Sequence, residues 1–306
     1  MNSKTDTLDL REKLRSYISE NNNVTQADVA RAIGISDSAL SQYLGGTYEG
    51  DNKRIDRAIS AYLKRRAEQQ AAPKQAIPFI YTSVVNKIHE VARMCHLYGE
   101  MGVTYGASGI GKTWAVREYT RQNPGTILIE VGEHCALKLP LLRELHEKLG
   151  LSGKGRSDQL FKSILNRLKD SSRLLIIDEA ENLPYKSLEM LRRIHDFTGI
   201  GILLIGMATL VTNLQGRQGD YAQLYSRITF TRKCERLEMI DTESVVREII
   251  PDANGLCKVF HEESYQNMRI LTKLLIRTSY AAQINQMDIT PDLIRQARES
   301  LILREA

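Results

Sequence analysis

The sequence predicts an α/β protein: a parallel sheet flanked by helices, preceded by an all-α block and followed by a small helical lid. Three observations lead there. Between residues 81 and 238, near-continuous apolar runs alternate with stretches of helical spacing, the pattern of strands buried on both faces. One run leads into a glycine-rich loop, Gly106 to Thr113, that opens a helix. The flanking blocks, 1–66 and 239–306, carry helical spacing without such runs.

In the first block, Leu10, Leu14, Tyr17 and Ile18 share one helix face, and "ENNNVT" ends that helix. From Thr25 to Gly46 the spacing is that of a helix-turn-helix. Ala30 is small where two helices cross, Gly34 permits the turn, and Ser36 caps a second helix running to Leu44. Val29, Ile35 and Leu40 would fill its core. The second helix presents Asp37, Ser38, Ser41, Gln42 and Tyr43 but neither lysine nor arginine, so it gains little from backbone phosphates. Ser36, Ser38, Ser41 and Gln42 are its candidate base-contacting residues; a hairpin used for protein contacts is the other reading. Basic residues come only later, at Lys53, Arg54, Arg57, Lys64, Arg65 and Arg66. Residues 67–80, with two prolines among small and polar residues, read as a linker.

Strand-like runs in the third block are 101–106, 126–131, 173–179, 201–207 and 227–232. A helix beginning near Ser157 aligns Leu160, Phe161, Ile164, Leu165 and Leu168. In the last block Ile270 pairs with Leu274 and Leu271 with Leu275, and Pro291 suits the first turn of a final helix. The domains expected are therefore 1–66, 67–80, 81–238 and 239–306.

Bulk properties narrow the class. The longest apolar run, 199–207, is too short to span a bilayer, and the charged start of the chain has no leader-like apolar core. Cys95, Cys135, Cys234 and Cys257 lack disulfide or zinc spacing, which suits reduced thiols in a cytoplasmic protein. A net charge of +5 permits a polyanionic partner without requiring one.

The chemistry is concentrated in a few stretches. Gly106, Ala107, Ser108, Gly109, Ile110, Gly111, Lys112 and Thr113 fit the loop whose backbone N–H groups converge on phosphate oxygens. Lys112 would reach the β- and γ-phosphates of ATP, Thr113 would ligate Mg²⁺, and Trp114 follows directly. The strand "LLIIDEA" ends in Asp178, placed for the Mg²⁺ shell, and Glu179, placed to polarise a water. Paired acids there favour hydrolysis over transfer to a small molecule. Arg227, just before the last strand, is a candidate arginine finger for a neighbouring subunit, and Arg269, at the start of a lid helix, a phosphate contact in cis. Where the strand 201–207 should end in a polar, water-holding residue, Met207 stands instead. Thr209 and Asn213 are the nearest polar residues, and neither takes the role by position.

Taken together, the phosphate loop, Asp178-Glu179, the "SRI" arginine and the lid arginine resemble an AAA+ ATPase over roughly residues 80–300. The segment Thr25–Gly46 is similar to the Cro and C1-repressor type of helix-turn-helix. Beyond these, "GGTYEGDNKRIDRAISAYL", "GIGKTWAVREY", "LLIIDEAENL", "QLYSRI" and "MRILTKLLIR" resemble the family of phage Mu transposition B proteins, ATP-dependent target-DNA activators. The resemblance implies assembly of ATP-bound protein into helical filaments on double-stranded DNA with little sequence preference. It also implies delivery of that DNA to a transposase, and disassembly on hydrolysis stimulated by DNA and transposase. Arg232, Lys233 and Arg236 form a basic cluster that would repeat along such a filament, or else a solvated face. A helicase loader and a nucleotide-gated transcription regulator are the competing expectations.

Overall fold

The computed structural model describes residues 3–21, 24–71, 77–132, 135–216 and 222–301. The chain divides into two compact units, one through residue 76 and one from Ile77 onward.

The first unit is four helices: α1 (Ser3–Glu20), α2 (Gln26–Ile33), α3 (Asp37–Gly45) and α4 (Asn52–Ala71). Local chemistry sets the boundaries. Thr25 Oγ1 accepts from Asp28 N, and Asp28 in turn accepts from Thr25 N at 3.0 Å, a reciprocal cap of about 1 kcal/mol. Gly34 ends α2 at φ 74°, where a side chain would cost about 1–2 kcal/mol. Ser36 Oγ then accepts from Ala39 N and starts α3. Leu14, Val29, Ala30, Leu40 and Ile59 are fully buried between the helices. Tyr43 departs from the polar-face reading. It turns inward, its hydroxyl donates to Asp56, and the Arg11 guanidinium lies 4.6 Å over its ring. Burial pushes the phenol up from its ordinary value. Ser36, Ser38, Ser41 and Gln42 are exposed.

In the second unit α5 (Ser83–Tyr98) leads into β1 (Met101–Gly106), α6 (Lys112–Gln122), β2 (Thr126–Glu130), α7 (Lys138–Lys148) and α8 (Ser157–Leu168). Then come β3 (Leu174–Asp178), α9 (Tyr185–Thr198), β4 (Gly201–Gly206), α10 (Ala208–Gln215), α11 (Ala222–Tyr225) and β5 (Ile228–Cys234). The strands form one parallel sheet in the order β2-β3-β4-β1-β5. Both faces are covered, which is why the strands are apolar without alternation. Leu174, Ile176, Leu203 and Ile205 pack against α5 and α6, whereas Leu175, Ile177, Ile202 and Leu204 meet α7 to α10. β5 runs two residues past its expected end, so Lys233 joins Arg232 on an edge strand, where charge discourages pairing with another chain.

The lid comprises α12 (Met239–Ile249), α13 (Cys257–Glu263), α14 (Met268–Asn285) and α15 (Pro291–Glu299). Leu271, Leu274 and Leu275 of α14 join the same core as α5 and α6. Ile77, Phe79 and Ile80, from the stretch expected as linker, pack on that core as well. No helix among the described residues is long and apolar enough to cross a membrane, and all four cysteines are buried free thiols.

Candidate functional site

The strand order fixes where chemistry can occur. β4 lies between β1 and β3, so its carboxyl end separates the loop after β1 from the acids after β3 by one strand spacing each way, about 4.8 Å. Ligands of such sheets bind outside the carboxyl ends of the strands. There the structure has a cleft of about 440 Å³ lined by Ser108 to Thr113, Trp114, Asp178, Glu179, Gly206, Met207 and Arg269.

Gly106 to Thr113 turns from β1 into α6 with Gly109 at φ 79° and Gly111 at φ 105°. Lys112 Nζ donates to the carbonyls of Gly106 and Ala107, each at 2.8 Å. Burial holds the ammonium below its ordinary value, opposed by the carboxylates of Glu181 and Asp178. Thr113 Oγ1 donates to Asp178 Oδ2 at 2.6 Å, and Glu179 N donates to Asp178 Oδ1 at 3.0 Å. Asp178 is 2% exposed, and burial raises its carboxyl against these two hydrogen bonds. A hydroxyl and a carboxylate oxygen side by side at a phosphate loop are hard donors that fit Mg²⁺, a cation that takes few protein ligands besides phosphate and water. Glu179 is exposed at φ 55°, and Asn182 Nδ2 reaches its Oε2 at 3.5 Å.

The opposite wall of the cleft is apolar. Ile77, Phe79, Ile80 and Met268 line it, and the Phe79 and Trp114 rings stack with centroids 6.3 Å apart. A polar cradle beside a flat apolar wall suits a phosphate chain carrying an aromatic base.

The lid is tied to the phosphate loop by Asn267 and Arg269. Asn267 Nδ2 donates to Ser108 O at 2.7 Å, while its Oδ1 accepts from Arg269 N and Ile270 N and so caps α14. Arg269 N also donates to Gly109 O at 2.9 Å, which carries the Arg269 guanidinium to the cleft near Ser108. A Cβ on Gly109 would stand 2.5 Å from Asn267 Oδ1. Asn267→Ala is expected to remove cap and tether together, destabilising the start of α14 by about 1 kcal/mol and weakening nucleotide binding several-fold. Trp114, the single tryptophan, gives the titration signal; unchanged affinity would contradict the tether's role.

Other expected residues lie elsewhere. Arg227 does not line the cleft. It precedes β5 at the amino end of the sheet, where Ile228 pairs with Met101, and it donates to Asp196 at 2.9 Å. From there to Gly106 is the length of β1, about 20 Å. Arg232 pairs with Glu90 and Lys233 with Glu235, while Arg236 donates to Tyr265 O. Asn213, one polar candidate near Met207, donates instead to the Glu181 carbonyl, and Thr209 is exposed. Sequence reasoning missed Ile77, Phe79 and Ile80, whose apolar pattern around Pro78 was the available signal, and Asn267, visible only as a cap.

Comparisons with known proteins bear on the fold and the family. A model of the AAA domain family matches residues 96–214. DNA transposition protein B of a Mu-like prophage in Haemophilus influenzae is 30% identical over 284 residues, 90% of this chain and 98% of that protein. The ATP-dependent target DNA activator B of Escherichia phage Mu is 31% identical over 303 residues, 96% of each. Among solved structures, an Aeropyrum pernix ORC2 protein superposes with a TM-score of 0.58 at 15% identity, covering 76% of this chain and 71% of that one; this likeness speaks to fold alone.

Proposed function

Because the chain belongs to the family of Mu-type transposition B proteins, ATP-dependent target DNA activators, we propose that it hydrolyses ATP to time its own assembly on target DNA. ATP-bound copies join head to tail along double-stranded DNA with little sequence preference. They present that DNA to a transposase, and hydrolysis, stimulated by DNA and transposase, releases it. A head-to-tail contact that does not close gives a helical filament rather than a ring.

The observation that carries this reading is the place of Arg227. At about 20 Å from its own phosphate loop it lies beyond side-chain reach in cis. In a head-to-tail array it meets the next subunit's γ-phosphate after exchanging Asp196 for that partner. The γ-phosphate then joins two subunits, so its cleavage removes contacts that hold the assembly.

Within one subunit the backbone of Gly106 to Gly111 and the Lys112 ammonium cradle the phosphates. Thr113 and Asp178 would hold Mg²⁺, which would supply positive charge to offset that of the phosphates. Glu179 takes the proton of the attacking water, and Arg269 connects the phosphates to the lid. DNA phosphates fall to exposed cations, with Arg232, Lys233 and Arg236 exchanging their present partners, while Ser36, Ser38, Ser41 and Gln42 of the N-terminal unit meet base edges. Contacts of this kind, weak singly and multiplied along a filament, make binding steeply salt-dependent.

A mixing experiment tests the arrangement. Arg227→Ala is expected to slow hydrolysis on the order of a thousandfold while leaving nucleotide binding by single subunits near normal. Mixed with Lys112→Ala subunits, it should regain turnover at sites that join an intact loop to an intact arginine. Absence of complementation would contradict the trans assignment.

A further inference from the structure

The polar residue expected where β4 ends is absent, since Met207 occupies the place and is 43% exposed. A carboxylate stands beside it. Glu181, in the short turn Ala180–Asn182 after Glu179, lies so close to Gly206 that a Cβ there would overlap its Oε2. Among the described residues, Glu181 Oε2 is the one carboxylate oxygen that is buried and accepts no hydrogen bond. Such an atom calls for an explanation, because a buried acceptor without a donor is costly. Its backbone is fixed, with Asn213 Nδ2 donating to the Glu181 carbonyl at 2.9 Å. Gly206 itself lines the cleft and lies on β4, between the phosphate loop and Asp178-Glu179.

We propose that Glu181 is a positioning residue of the hydrolytic site, its carboxylate holding the attacking water where the end of β4 offers only Met207. The inference rests on the hydrolytic reading above. One water O–H donates to Glu181 Oε2, and the other proton passes to Glu179 as the water oxygen bonds to the γ-phosphorus. The bond from that phosphorus to the β,γ-bridging oxygen breaks, and ADP leaves with the electron pair. Glu181 stays ionised throughout and directs the lone pair of the water. Gly206 is required because any side chain there displaces the carboxylate.

Three variants of the full chain test this, read by steady-state hydrolysis, Trp114 fluorescence titration with ATP, and circular dichroism for folding. Glu181→Ala and Gly206→Ala are each expected to lower kcat by between about ten- and a hundredfold, with KM and nucleotide affinity changed less than about twofold. Glu181→Gln keeps an acceptor oxygen and is expected to recover most of the rate. A loss confined to KM and affinity would make Glu181 a counter-ion of Lys112 and overturn the proposal, as would an unchanged kcat. Equal losses in Glu181→Gln and Glu181→Ala would overturn it too. If Glu181→Ala does not fold, Gly206→Ala and Glu181→Gln decide between these outcomes. Glu179→Gln is measured in parallel: if it also turns over normally the hydrolytic reading itself fails, whereas failure of the Glu181 and Gly206 variants alone removes only this inference.

Discussion

Replacing Lys112 with alanine is expected to abolish ATP-dependent coating of duplex DNA. The Lys112 ammonium is bonded to two carbonyls of its own loop, Gly106 O and Ala107 O, at the mouth of the cleft. That position lets it pivot to phosphate oxygens without any rearrangement of β1 or α6. Two charge-assisted hydrogen bonds to the β- and γ-phosphates contribute about 3 kcal/mol together, or roughly a hundredfold in affinity. Alanine loses both and leaves the phosphate charge uncompensated. Fluorescence titration at Trp114 measures the affinity, and electron microscopy or filter binding measures the coating. Coating by Lys112→Ala equal to that of the unaltered chain would reject the loop's role.

The second large effect is expected from Glu179→Gln. The amide has the shape of the acid but cannot take a proton from water, and loss of a general base costs on the order of a hundred- to ten-thousandfold in rate. Binding should survive, because the phosphate cradle and the pair Thr113–Asp178 do not depend on the Glu179 side chain; Asp178 is held by the Glu179 backbone N–H. Asn182 Nδ2 can still reach an amide oxygen at that place. The variant should load ATP, coat DNA and remain on it long after the unaltered protein has dissociated. Rapid turnover by Glu179→Gln would contradict the assignment of the base.

How much of this could be read in the sequence depended on how local the cause was. The strands were legible because a parallel sheet covered on both faces leaves an unbroken apolar run, as in Leu174–Asp178 and Gly201–Gly206. The helix cap at Ser36 was legible because an N-cap bonds within its own first turn. The phosphate loop was legible because its glycines and lysine are contiguous. What escaped was long-range. Asn267 meets Ser108 across the whole core, and Glu181 gains its meaning only from the strand that separates β1 from β3. Tyr43 looked like one more polar residue of a recognition helix, yet Asp56 and Arg11 draw it inward. Phe79 was hidden by the prolines around it, which signal a linker equally well when the chain is laying an aromatic ring beside Trp114.

The claim at the centre is that the γ-phosphate joins neighbouring copies along DNA. Electron microscopy of the protein on long duplex DNA, with a slowly hydrolysed ATP analogue and with ADP, tests it most directly. Continuous helical filaments with the analogue and bare DNA with ADP are the predicted result. Isolated monomers on DNA in the presence of the analogue would contradict it.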